Sequence, residues 1–402
     1  MRTPRPWSFF VLVLPYGASF GFVSGAFPLI ARQHGIAVEA IAGVVAAAFL
    51  PHAPKFLWAP LVDMTWSRKT WYVVSLALVS LGTFASMAMP ISAPTLGALT
   101  AVVVASQVGL TTMGMSIEGL IGRTVPPERK GTAAGWFQAG SFLGVGLGGG
   151  AAYALVQRFG GPVGGAVLAG AFAVCALPLL GFDEPREPSK RTLRDAAAGL
   201  AKDLWSLVRS PGGIAAVVIC LSPVGSGAAA NLFGAIADDW RAPPSLVVAV
   251  TTTVGSLVSA AGAAWGGWVA ARIGRRSAYA LGGALTASMA VAMAFAPRAP
   301  WTYALFTLAY QAFNGAAFAA FSAFAFEIAG HASVATKYNI LASLANTSIS
   351  YTTRADGAAH ARWGARGVLL ADATLTGAGI ALLAAVIAVT RSRKRPAGPD
   401  AG

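Results

Sequence analysis

Two ionisable side chains stand inside an apolar stretch: His52 and Lys55, in Leu50-Pro51-His52-Ala53-Pro54-Lys55-Phe56-Leu57-Trp58-Ala59-Pro60-Leu61-Val62-Asp63. An ammonium in such surroundings is costly unless an anion compensates it. On a helix with a 1.5 Å rise, Lys55 lies roughly 12 Å inside the boundary marked by Asp63. His52 is one turn away on the same face and has the side chain that titrates nearest neutral pH. Two readings stand: Lys55 binds an anionic solute, or it completes a structural ion pair or reaches toward lipid headgroups.

A second polar anomaly is the run Asn346, Thr347, Ser348, Ser350, Tyr351, Thr352, Thr353 and Arg354. Such a face cannot meet hydrocarbon; it either lines a cavity or makes helix-helix hydrogen bonds. Arg354 is expected to pair with Asp356 or Asp372 or to contact a solute. Gln107, Gln138, Asn231, Tyr310, Gln311 and Asn314 add uncharged hydrogen-bonding groups, and Tyr16, Trp136 and Phe137 could stack on a flat solute. A third set consists of charges at helix ends. Glu118 and Glu327 follow apolar runs, while Asp63 with Arg68 and Lys69, and Arg272 with Arg275 and Arg276, mark two basic loops.

Long apolar elements must position these groups. The chain has 402 residues, 56% hydrophobic and 11% charged, too few polar groups to cover a soluble core. A bilayer span needs about 20 apolar residues. Twelve such blocks are read at 7–31, 40–62, 71–90, 95–121, 131–156, 162–182, 213–236, 245–271, 278–296, 301–328, 335–357 and 367–390. The first lacks a small-residue cleavage site and is expected to stay as a helix. Cys175 and Cys220 fall inside blocks, which argues against a disulfide or a thiolate metal site.

The net charge of +14 does not point to nucleic acid, because 21 of the 29 basic residues lie in even-numbered connections and at the termini. By the positive-inside rule both termini and the central loop are then cytoplasmic. That hydrophilic stretch, 183–212, divides the blocks six and six. It separates an N-terminal bundle (1–182) from a C-terminal bundle (213–402). Within it Leu193, Ala197, Leu200, Leu204, Leu207 and Val208 recur at helical spacing, predicting an amphipathic helix on the membrane surface. Pro15 and Pro223, Gly17 and Gly225, Ala59 and Gly267, and Arg68 and Arg276 are each 208 residues apart. One ungapped shift thus overlays the halves, the parallel repeat expected of a carrier with its site between two bundles.

Gly267-Trp268-Val269-Ala270-Ala271-Arg272-Ile273-Gly274-Arg275-Arg276 resembles the major facilitator loop motif G-x-x-x-D-R-x-G-R-R, with Ala271 in the place of the acid. The corresponding first-half loop keeps Asp63 and stretches the basic end to Arg68 and Lys69. The resemblance implies an all-α membrane protein of the major facilitator fold, twelve helices in two pseudosymmetric bundles. In sugar-porter relatives, glutamates placed as Glu118 and Glu327 are brace an inward gate against the motif arginines. The resemblance implies that role for Glu118 with Arg68, and for Glu327 with Arg272, Arg275 or Arg276; proton carriage and a solvated helix-end charge are the other readings.

Lys55-Phe-Leu-Trp-Ala-Pro-Leu-Val-Asp63, with Leu14-Pro15-Tyr16-Gly17 and the Pro126–Gly131 loop, resembles the muropeptide permease, acetyl-coenzyme A transporter and siderophore permease branch. The pattern departs at Val108 and Thr112, where acids follow Ala105-Ser106-Gln107 in muropeptide permeases. Gly131, Gly140, Gly144, Gly148 and Gly149 follow the antiporter motif of drug exporters, with Val145 at its proline. Its other reading is tight packing against Gly262, Gly266 and Gly267.

No Walker loop, zinc-protease motif or nucleophile elbow occurs, and His34, His52, His331 and His360 are scattered. The expectation is a monomeric secondary transporter, not an enzyme and without cofactor or metal. It would reside in a bacterial inner membrane and move a small polar or anionic solute by alternating access with protons. A proton-driven efflux antiporter is the alternative; a membrane sensor or lipid scramblase is more remote.

Overall fold

A computed structural model describes residues 3–184, 193–209, 211–329 and 334–392. Among them the secondary structure is wholly helical. The spans are α1 (Ser8–Gln33), α2 (Val38–Leu57), α3 (Arg68–Ala88), α4 (Leu96–Thr124), α5 (Pro127–Phe159) and α6 (Gly161–Gly181) in the first half. The second half holds α7 (211–240), α8 (Pro244–Ile273), α9 (Arg275–Phe295), α10 (Pro300–Ala329), α11 (334–363) and α12 (365–392). The linker helix, Leu193–Arg209, lies between them as its spacing predicts. Ten segments are long and apolar enough to cross a bilayer. Two local features bring these to twelve: α7 is broken, and α11 and α12 are separate helices joined directly at Gly364, φ 62°, where the chain folds back.

Turn chemistry sets where the helices end. Gly160 (φ 79°) separates α5 from α6, and Gly274 (φ 86°) separates α8 from α9. These left-handed positions cost glycine nothing. Ser67 caps α3 by accepting the Thr70 amide at 3.1 Å.

Two expected continuous helices are interrupted, each where the backbone loses its ladder. The block at 40–62 becomes α-helical over Val38–Phe49, then two 3-10 turns (Leu50–His52 and Lys55–Leu57), then a short helix Ala59–Met64. Pro51, Pro54 and Pro60 lack amide protons, so a regular helix cannot run through. The block at 213–236 stops at Leu221 and resumes as a 3-10 turn at Ala228, with Pro223, Gly225 (φ 65°) and Gly227 (φ 64°) between. Pro15, related to Pro223 by the 208 shift, stays inside continuous helix. α1 and α8 each contain a π-turn, Phe22–Ala26 and Ala249–Thr253. These π-turns meet across the two halves, where a Cβ on Gly25 would stand 2.7 Å from Thr252 Cγ2.

The glycines of α5 pack elsewhere than on Gly262, Gly266 and Gly267. A Cβ on Gly140, Gly144 or Gly148 would strike the backbone of α1 at Phe10, Leu14 or Ala18, within 2.9 Å. Gly262 and Gly266 seat instead on Ala312 and Ala316 of α10, while Gly267 has open space. Four-residue spacing puts small residues on one helix face, and these two faces, Gly140–Gly144–Gly148 and Gly262–Gly266, each find a partner within their own half. Gly266→Ala and Gly148→Ala are therefore expected to destabilise the protein by about 1–3 kcal/mol, read as a lower unfolding temperature in detergent. Gly267→Ala, next to Gly266 in the loop motif, is expected to leave that temperature unchanged.

The described contacts between halves are densest on the face opposite the linker, called here the far side, and continue along α11 to the 3-10 turns of α2. The α1 end, Phe27–Gln33, packs on Phe233–Ile236 of α7. Gly146, Gly149 and Gly150 of α5 meet Thr252, Thr253 and Ser256 of α8, and Gly357 of α11 sits on Glu39 and Ala42 of α2. Ser350 donates to the Ala46 carbonyl at 2.8 Å. Arg32 and Asp238 pair at 3.5 Å, with side chains 38% and 69% exposed, so packing rather than this ion pair holds the seam.

Candidate functional site

In the first half the broken segment of α2 faces α4. His52 is buried, and its Nε2 lies 2.9 Å from Gln107 Oε1, joining two residues that the sequence singled out separately. The Trp58 indole N–H donates to Thr112 Oγ1 at 3.3 Å. Thr112, where an acid was expected from the permease pattern, therefore serves to hold the 3-10 segment that carries Lys55. Lys55 is half-buried on that segment.

Glu118 stands within electrostatic reach of Lys55, Arg68 and Tyr16. It is exposed although three helices surround it, the arrangement of a cleft wall. Tyr16 is half-buried, its ring facing Gly114, one turn before Glu118 on α4. Arg68 is buried and lies over Gly119. Lys55, Glu118 and Tyr16 thus line this wall, with the buried Arg68 guanidinium beside them. Gln138 is exposed on α5.

Lys69 is engaged on α6. Its Nζ donates to the Leu179 and Phe182 carbonyls and lies over the Phe182 ring, which ties α3 to the end of α6. Beside it, Glu184 accepts the Arg68 amide at 2.8 Å and the Lys69 amide at 3.0 Å. A carboxylate there satisfies two unpaired amides at the positive end of the α3 dipole.

In the second half, most of the expected polar residues serve other helices. Asn231 donates to Thr353 Oγ1 at 3.1 Å, Gln311 to the Val250 carbonyl at 2.7 Å, and Tyr351 to the Leu221 carbonyl at 2.7 Å. Asn346 bonds back to Ala342 of its own helix. Asn314 lies against Gly227 in the break of α7, where any Cβ would collide with its amide. Tyr310 donates to Asp372 at 2.9 Å. Of the polar run of α11, Ser350, Tyr351 and Thr353 make hydrogen bonds to other helices, while Asn346 and Ser348 bond within their own.

Arg354 is exposed, while Asp356 and Asp372 are buried. It makes no ion pair with either. Residues two apart point to different faces of a helix, so Arg354 and Asp356 cannot face each other. Among the loop arginines, Arg272 stacks over Trp268 (4.6 Å) and Arg276 over Phe324 of α10 (5.5 Å), and all three of Arg272, Arg275 and Arg276 are exposed. The side chains of Asp63 and Glu327 lie outside those described.

Residues 9–234 match the Major Facilitator Superfamily. The chain belongs to this superfamily. Similar solved structures include a peptide transporter POT in complex with sulfate, at 12% identity and TM-score 0.69 over 97% of this chain and 95% of that one. A POT family transporter in complex with 5-aminolevulinic acid reaches TM-score 0.73 at 11% identity, over 98% of this chain and 97% of the other. The nucleoside transporter NupG reaches 0.69 at 12% identity, over 96% and 99%. At these identities the likeness is one of fold. No curated protein sequence matches the chain.

As a major facilitator member the chain is a multi-pass membrane protein of a transporter family, not of an enzyme family. Sequence reasoning missed two acidic sites that the fold assembles, Glu184 at the α3 N-terminus and the Asp356–Asp372 pair. Glu184 follows the sixth block directly, a placement that could have marked it as an acid able to reach the next basic loop. Glu184→Gln is expected to cost about 1 kcal/mol, read as a lower unfolding temperature, because the amide side chain no longer brings a charge to the helix end.

Proposed function

We propose that the protein is a secondary active transporter that carries a small polar or anionic solute by alternating access, coupled to protons. Residues 1–182 and 213–402 act as its two rocking bundles, joined by 183–212. The observation that carries this reading is the asymmetry of the seam. The described contacts between halves are densest on the far side and run along α11 as far as the 3-10 turns of α2, while Glu118, near the linker-side end of α4, stays exposed. This is the arrangement of a carrier open on the linker side. The distribution of basic residues supports a bacterial inner-membrane location with both termini cytoplasmic, so the linker-side cleft opens to the cytoplasm.

Lys55 and Arg68, compensated by Glu118, supply the positive field that attracts an anionic group, and Tyr16 the surface on which a flat part stacks. Arg68 with Glu118 also forms the N-terminal part of the inward gate; Arg272, Arg275 and Arg276 with Glu327 form the C-terminal part. Muropeptide-, coenzyme A ester- and siderophore-like solutes fit this site, and sulfate and 5-aminolevulinic acid in the similar structures are likewise polar. The test is uptake into proteoliposomes of a panel of such anions. Accumulation with an inward proton gradient, collapsed by a protonophore, supports the reading; equal fluxes in protein-free vesicles overturn it.

A further inference from the structure

Two carboxyl groups lie side by side in the second half, away from the cleft wall of Lys55 and Glu118. Asp356 is 0% exposed and Asp372 1%. Each is eight residues from Gly364, so at a 1.5 Å rise both sit roughly 12 Å from the tip of the α11–α12 hairpin. Asp372 accepts hydrogen bonds from the Tyr310 hydroxyl (2.9 Å) and the Ala229 amide (3.3 Å). Asp356 faces Asp372, yet both of its own oxygens are buried without a partner.

Among the described residues no lysine, arginine or histidine pairs with either acid. From α10 the titratable group facing them is Tyr310. On α11, His360 is one turn beyond Asp356 but is directed to Asp239 and Arg32. On α12, Arg366 is exposed and donates to the Ala294 carbonyl of α9. On α2, Glu39 is exposed beside Gly357, and the 228–236 segment of α7 contains no ionisable side chain.

Two ionised carboxylates cannot share a dry site without a cation, so a carboxyl with two orphaned oxygens calls for a bound positive ion. The site is wired to the far-side seam. Ala229 and Asn231 of α7 bond to Asp372 and to Thr353, one turn from Asp356, and the Phe233 ring packs edge-on against Tyr310 at 5.1 Å. The next residue, Gly234, rests on Gly25 and Leu29 of α1 in the other half.

We propose that Asp356 and Asp372 form the proton-binding site of the carrier, and that their protonation stabilises the closed far-side seam through the 228–236 segment of α7. Closure buries both acids, so it favours their neutral form; opening admits water and favours release of the proton. A proton taken up from the far side thereby closes that side, the order required for proton-driven import. The proposal rests on the alternating-access reading.

The test needs no solute. Spin labels are placed at the exposed positions Ala37 and Asp239, on opposite halves of the far side, in a chain with Cys175 and Cys220 replaced by serine. Distances are recorded in liposomes across pH. Raising pH is expected to populate a longer distance, the ratio changing by up to about tenfold per pH unit for each proton released. The Asp356→Asn/Asp372→Asn variant is expected to stay short at every pH. A pH-independent wild type, or an unchanged response in the variant, overturns the proposal. Sodium acting at fixed pH in place of protons overturns it in favour of a metal cation.

Infrared spectra of the labelled chain without these substitutions give a second measure. A carboxylic-acid C=O stretch is expected at neutral pH, fading as the longer distance appears, and its absence also overturns the proposal. Failed solute uptake alongside an intact pH response would refute the transport reading while leaving the proton site standing.

Discussion

Replacing Lys55 with alanine is expected to reduce uptake of an anionic solute at least tenfold while leaving the amount of protein in the membrane unchanged. A hydrogen bond to a charged group contributes about 1.5–3 kcal/mol, and 1.4 kcal/mol is one factor of ten. Lys55 is half-buried on a 3-10 turn held by Trp58 and Thr112, so its loss removes charge without removing the contacts that shape the segment. Lys55→Arg, which keeps the charge, is expected to retain a measurable part of the uptake. If Lys55→Ala transports like the wild type, the side chain is a structural or headgroup-directed lysine and the binding role is lost.

Neutralising Glu118 is expected to have the opposite sign on affinity. Its carboxylate stands beside Lys55 and Arg68, where it competes with any incoming anion for the same two cations. At a separation of about 6 Å and an effective dielectric of about 20 a unit charge is worth roughly 3 kcal/mol. Water in the exposed cleft screens this to about 1 kcal/mol, or a fivefold lower KM for Glu118→Gln. Tighter binding without matching stabilisation of the moving state slows turnover. The expected pattern is thus a lower KM with a lower kcat, measured as initial uptake rates. A raised KM would mean that Glu118 contacts the solute directly, through a cationic part.

Much of this architecture could be read from the residues. Apolar run length located the spans, because a bilayer leaves a helix no other way to satisfy its backbone. The Leu/Ala/Val spacing within 193–209 was enough to find the linker helix. Where proline and glycine interrupted a run, length was misleading: Pro51, Pro54 and Pro60 break the end of the second block into two 3-10 turns and a short helix, and Pro223 with Gly225 and Gly227 breaks the seventh. Hydropathy averages over such breaks, since it counts side chains and not amide protons.

The candidate site was legible in part for a similar reason. His52, Gln107, Lys55 and Glu118 stood out as polar groups in apolar runs, and the fold brings them together along the α2–α4 face. Which polar group serves a solute and which serves a neighbouring helix is a matter of helix rotation. That is why Gln311, Asn231 and Tyr351, equally prominent in sequence, turn out to bond Val250, Thr353 and Leu221. In sequence, Asp356 and Asp372 read only as partners for Arg354. Their common depth follows from the hairpin at Gly364, which no local spacing reveals.

The central claim is that the two halves rock so that only one side is open at a time. Paired distance measurements in liposomes test it most directly, with one label pair across the far side at Ala37 and Asp239 and a second across the linker side at Arg123 and Ala271. The account expects two populations in which the distances change in opposite senses, the far side short when the linker side is long and the reverse. A single population on both sides, or two distances that lengthen together, would contradict it.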